Sequence, residues 1–313
     1  MKIVKPKKLS PGDLIGIISP ASNPENLELL DKNISYFEKL GYRIKLGKNI
    51  YSEDGFYAGN ITERLDDIHT MFKDKDVKAI FCTRGGYGST KLLDKLNYSL
   101  IKKNPKILVG FSDLTAVQLA ILKKTGLITF SGPMPAVNDF SKFDKDAEEN
   151  FWEIMTKSKK IGKIQNPSKE NFYSLNKGSA EGKLIGGNLS ILISLMGTTF
   201  EPDFKDKILL IEEINEPPYK IDRMFNQLRL AKVFNKIKGV IFGRFVDCYE
   251  NKTSKRSLNL NEIIIEYFQG MKIPVIYNLK HGHISQTITL PLGINCKVNS
   301  SRGFVEFTES AVT

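Results

Sequence analysis

Histidine and cysteine are both scarce in this chain, three of each among 313 residues. Cys82, Cys248 and Cys296 are odd in number and far apart. That excludes a disulfide framework and a Cys-x-x-Cys metal site, and points to a reducing compartment, the cytoplasm. No apolar run reaches the length of a membrane span, so no membrane partner is expected. The basic N-terminus through Lys8 lacks an apolar core and a small-residue cleavage site, so no secretory signal is expected. Arginine-rich stripes interleaved with aromatics are missing too. The net charge of +11 comes mostly from lysines scattered over predicted helices and loops, and no nucleic-acid partner is expected. Such an excess suits attraction of an acidic small substrate.

What is present is an alternation of strand and helix signals. Leu14 to Ile18 reads as a buried strand; Leu27, Leu30, Ile34, Phe37 and Leu40 mark one helix face, closed by Gly41. Tyr42 to Leu46, then Leu65 to Phe72, then Ala79 to Phe81 continue the rhythm. A β-α-β-α order predicts a parallel sheet with helices on both faces and ligands beyond the carboxyl ends of its strands. Two loops fall there: Thr83-Arg84-Gly85-Gly86-Tyr87-Gly88, and Gly110-Phe111-Ser112-Asp113. The pattern then loosens, with a short helix around Phe151 to Met155, and resumes at Gly182 as a strand, a tight turn at Gly186-Gly187 and a helix. The last third adds more β character.

Ser112 follows the apolar run Ile107-Leu108-Val109 and opens a helical pattern, so its hydroxyl projects from a strand-to-helix turn beside free helical amides. Leu114 stands where a nucleophile elbow has its second glycine, and a serine N-cap is the commoner use of such a position. A catalytic serine needs a base. His69 sits in a predicted amphipathic helix, with a structural role expected. His281 and His283 flank Gly282 in a loop; no further ligands stand near them for a metal, and a loop histidine beside glycine suits a general base. A carboxylate to orient the imidazole could come from Glu212, Glu213 or Glu216, at least one of which reads as a surface acid paired with Lys220 or Arg223. Cys82, inside a strand run, reads as a buried small hydrophobe. Arg84-Gly85-Gly86 lacks the Lys-Ser/Thr of a P-loop, so no nucleotide cofactor is indicated.

Taken together, these blocks resemble the LD-carboxypeptidase family, serine peptidases that include microcin C immunity peptidases. The resemblance runs through Ser19-Pro20-Ala21, Thr83 to Gly88, Gly110 to Asp113, Gly186 to Leu189, Ile211 to Met224 and Gly282 to Gly293. It implies Ser112 as nucleophile, His283 rather than His281 as base, and Glu212 as the orienting acid. The backbone amides of Asp113 and of the Gly85-Gly86 turn, at Gly86, are the candidate oxyanion donors, with Arg84 and Gly85 candidates for substrate contact. The implied architecture is α/β: a flavodoxin-like parallel-sheet domain at 1–135, a linker at 136–177, and a smaller α/β domain with much β-structure at 178–313. Neither metal nor cofactor is implied. The implied reaction releases terminal D-alanine from a cytoplasmic murein tetrapeptide, by a homodimer. The alternatives are cleavage of a microcin-like aminoacyl nucleotide, and a non-enzymatic binding module that would need a broken triad.

Overall fold

The computed structural model describes residues 2–250 and 257–313. Its first sheet collects the strands β1 Leu14–Ile18, β2 Arg43–Leu46, β3 Val77–Cys82, β4 Ile107–Gly110 and β5 Thr129–Ser131. Between them run the helices α1 Leu27–Lys39, α2 Ile61–Lys73, α3 Tyr98–Lys103 and α4 Thr115–Thr125. Buried apolar strands favour a parallel sheet covered on both faces, and the spatial order β2-β1-β3-β4-β5 is parallel throughout. This is the flavodoxin-like strand order, with its switch point between β1 and β3. Asn26 and Asn60 cap α1 and α2 by accepting from Leu29 and Glu63 amides, the second within a full capping box. Unlike the others, α4 is buried on nearly every side, which is why its sequence is apolar well beyond one stripe.

Residues 136–177 carry more structure than a connector. Helix α5 Lys145–Thr156 packs Phe151 edge-on against Phe81 of β3, with ring centroids 5.7 Å apart. The same segment supplies β6 Gly162–Ile164 and β7 Tyr173–Asn176, the two outer strands of the second sheet. The remaining elements are β8 Ser179–Asn188, α6 Leu189–Ser194, β9 Lys207–Ile214, α7 Pro218–Leu230, β10 Gly239–Val246, α8 Leu260–Phe268, β11 Val275–Tyr277, β12 Leu290–Leu292, β13 Asn295–Asn299 and β14 Phe304–Phe307. The second sheet has the order β6-β14-β13-β8-β9-β10-β11-β7, with a parallel centre from β8 to β11 and antiparallel flanks.

Two features differ from the sequence reading. Gly186-Gly187 is no tight turn: β8 continues through both glycines, whose φ of 115° and 138° favour glycine. A Cβ at Gly186 would lie 2.1 Å from the Leu210 carbonyl oxygen, and one at Gly187 would lie 2.7 Å from the Thr115 hydroxyl. The glycines are there for close approach, between neighbouring strands and between β8 and α4. The second feature is β12, which leaves the C-terminal half to pair antiparallel with β5. That return brings the loop carrying His281 and His283 over the carboxyl edge of the first sheet. Among the described residues no helix is long and apolar enough to cross a membrane.

Candidate active site

Ser112 sits two residues beyond the end of β4, with φ at 64°, in the left-handed region that costs a non-glycine residue energy. Surrounding packing enforces it. Gln118 of α4 donates to the carbonyls of Gly110 and Phe130, both at 2.8 Å, locking the strand end under the turn. A Cβ at Gly110 would stand 3.2 Å from Leu114 and 3.3 Å from Cys82. The turn therefore needs its small residue at position 110 and accepts a buried leucine at 114. The elbow geometry forms without the second glycine.

The Ser112 hydroxyl lies 2.9 Å from Nε2 of His283, and Nδ1 of the same ring lies 2.8 Å from Glu212. An ionised carboxylate only accepts, so Nδ1 carries the proton and Nε2 is free to accept from the serine. Phe111 braces the imidazole edge-on, with centroids 4.9 Å apart. Glu212 ends the apolar part of β9 and is 1% exposed. Two glycines make room for it: a Cβ at Gly282 would meet its Oε2 at 2.8 Å, and one at Gly243 its Cβ at 3.1 Å. Among the described residues its Oε1 has no hydrogen-bond partner.

The other two acids part company with it. Side chains alternate along a strand, so Glu213 points the opposite way. It accepts from Asn188 (2.7 Å), the Ser190 amide (2.7 Å) and hydroxyl (2.6 Å), and the Ile214 amide (2.9 Å). Burial raises its carboxyl above the ordinary glutamate range, and those donors partly offset the rise. Glu216, partly buried, pairs with the exposed Lys220 at 3.1 Å.

His281 is fully enclosed. Its Nδ1 donates to the Ile288 carbonyl at 2.8 Å and its Nε2 meets the Ser131 hydroxyl at 3.0 Å. Burial pushes its pKa below the ordinary value, holding the ring neutral. His69 accepts from the Asn97 amide at 2.9 Å. Cys82 is buried, its thiol pKa pushed up by desolvation.

Gly85 lies against the serine: a Cβ there would be 2.9 Å from Ser112 Cβ and 3.3 Å from the Asp113 nitrogen. Gly86 follows with φ at 105°, close to Ser22. Arg84 forms an ion pair with Glu25. Ser22 went unnoticed in the sequence, yet its amide donates to the Gly85 carbonyl (3.2 Å) and its hydroxyl accepts from Tyr87 (3.2 Å) and donates to Phe56 (2.6 Å). A serine after Ser19-Pro20 carries no local signal of a bond to residues more than sixty positions away.

The site therefore joins a strand-end serine from the first half to an acid and a histidine from the second, and family comparison divides the chain at the same seam. Residues 15–132 match the model of the LD-carboxypeptidase N-terminal domain, and residues 181–298 that of the LD-carboxypeptidase C-terminal domain. The chain belongs to the LD-carboxypeptidase family. It is similar to a "Probable murein peptide carboxypeptidase" of Bacillus subtilis, with 38% identity over 95% of this chain and 92% of the relative. The microcin C7 self-immunity protein MccF of Escherichia coli is 30% identical over 96% of this chain and 94% of its own. A solved structure of MccF with glutamyl sulfamoyl guanosine superposes with a TM-score of 0.90 at 28% identity, covering 99% of both chains. The muramoyltetrapeptide carboxypeptidase of Oxalobacter formigenes superposes at 0.80, also 28% identical, over 93% of this chain and 97% of that one. As a member of this family the protein is a serine-type carboxypeptidase.

Proposed function

We propose that the protein hydrolyses the L,D-peptide bond that holds the terminal D-alanine of murein tetrapeptides, using Ser112, His283 and Glu212. The hydrogen-bonded chain from Ser112 through His283 to Glu212 is the observation that carries this reading. His283 takes the serine proton through Nε2 while the serine oxygen attacks the scissile carbonyl. Glu212 holds the ring in that tautomer and stabilises the imidazolium as it forms. The amides of Asp113 and Gly86 face the developing oxyanion, and such donors act most strongly in a dry, preorganised site. The imidazolium then protonates the leaving D-alanine amine, and water, deprotonated by His283, releases the shortened peptide from Ser112.

Arg84 and Gly85 lie beside the peptide in this reading, and the basic surface draws in a substrate rich in carboxylates. The chain works in the cytoplasm on recycled wall peptides, as a homodimer. It divides into a nucleophile domain at 1–135, a connecting segment at 136–177, and a domain at 178–313 that carries the acid and the base. The test is mass spectrometry of a diaminopimelate tetrapeptide and a lysine tetrapeptide incubated with the purified protein. Loss of one D-alanine, insensitive to EDTA and absent in Ser112→Ala, is expected. Cleavage of neither peptide by a folded protein would overturn the substrate assignment. The close superposition on MccF supports a second reading, hydrolysis of a microcin-like aminoacyl nucleotide, and the same assay with that substrate separates the two.

A further inference from the structure

The two oxyanion donors of the proposed mechanism lie on different loops, one after β3 and one after β4. Their separation must be held to a fraction of an ångström for both to reach one oxygen. The loop after β3 is pinned at successive points. The Gly85 carbonyl accepts from the Ser22 amide, so across the trans peptide the Gly86 N–H points away from Ser22. Arg64, fully buried on α2, donates to the Gly88 carbonyl (3.0 Å) and to the Pro20 carbonyl (3.2 Å). Ser89 then clasps Asp113 twice: its amide donates to the Asp113 carboxylate at 2.8 Å, and its hydroxyl donates to the Asp113 carbonyl at 2.6 Å. Both residues are buried, with Ser89 at 0% exposure and Asp113 at 2%.

We infer that Ser89 and the Asp113 side chain are positioning residues that set the spacing between the Asp113 and Gly86 amides, and so the strength of the oxyanion hole. Asp113 thus has two separate jobs, its amide toward the substrate and its carboxylate toward the loop. Nothing else in the proposed chemistry requires a buried carboxylate here, and burial raises its pKa, with the Ser89 bonds opposing the rise. This inference rests on Ser112 being the nucleophile.

The test compares Ser89→Ala and Asp113→Leu, which removes the acceptor of the Ser89 amide, with wild type and with Ser112→Ala. Each is read by kcat, KM, and affinity for a peptide boronic acid, whose tetrahedral adduct needs the oxyanion hole. Removing a donor outright typically costs about 10²- to 10³-fold in kcat, so displacing one is expected to cost about 10- to 100-fold. KM should stay within about twofold, and boronate affinity should fall in step with kcat. Thermal melting identifies any variant that is not folded, and the similarly sized Asp113→Leu serves if Ser89→Ala is lost. Folded variants with wild-type kcat and boronate affinity would overturn the clasp. So would a loss confined to KM. Full activity in Ser112→Ala would instead overturn the reading beneath it, whatever the clasp variants do.

Discussion

Glu212 and Glu213 are neighbours at the end of one buried strand, yet they occupy opposite kinds of environment. Glu213 faces α6 and is saturated, accepting from Asn188, both donors of Ser190, and the Ile214 amide. Glu212 faces the first sheet with His283 as its partner, one oxygen left unmatched among the described residues. A buried carboxylate whose oxygens are all matched is one the surrounding donors depend on, and its loss leaves them stranded. One that is left incomplete gains most when a positive charge forms beside it, and an imidazolium at His283 is that charge. Strand alternation alone thus places two adjacent residues of the same type in these two environments.

Substitution should break this comparison unequally. Ser112→Ala removes the group that the Glu212 side serves, and is expected to lower kcat by about 10⁴- to 10⁶-fold with an unchanged melting temperature. Glu212→Gln keeps the shape but not the charge, and should cost about 10³- to 10⁴-fold in kcat with a small change in stability. Glu213→Gln should do the reverse: its new amide faces donors, destabilising the protein by about 1–3 kcal/mol in denaturant unfolding, while kcat in the folded protein stays within about threefold. If both glutamine variants lose activity equally at equal stability, the distinction fails.

The two histidines extend the same contrast. His281 is held neutral by burial, so on acidification the unfolded chain takes up a proton before the folded one does. The unfolded state then binds more protons, and stability falls as pH drops below about 6.5, the unfolded value. Thermal melts of wild type against His281→Gln between pH 7.5 and 5 should show a steeper acid loss in the wild type. Parallel curves would remove His281 from that account. The smallest effect is expected at Glu216, whose partner Lys220 is on the surface. Glu216→Ala should leave kcat and melting temperature close to wild type.

The same contrast explains what the sequence could reveal. Strand, helix and strand-end loops of the first sheet were legible because burial there follows a simple period, as Leu14–Ile18 and Leu27–Lys39 illustrate. The serine turn was legible as a motif, although its left-handed backbone was not, since Leu114 hid the elbow pattern. Choosing Glu212 over Glu213 and His283 over His281 came from resemblance, because composition places both pairs equally well. The return of β12 to the first sheet, the passage of β8 through Gly186-Gly187, and the Ser22, Arg64 and Ser89 contacts had no local signature. Each depends on residues distant in sequence, whose meeting only the fold decides.

The central claim is that Ser112 is the nucleophile activated through His283 and Glu212. The most direct measurement is covalent labelling with a peptidyl phosphonate that reports serine nucleophilicity, followed by peptide mapping. The account predicts a single adduct on Ser112, formed at least about 10³-fold more slowly in Glu212→Gln and absent in Ser112→Ala. An adduct on another residue, or undiminished labelling in Glu212→Gln, would contradict it.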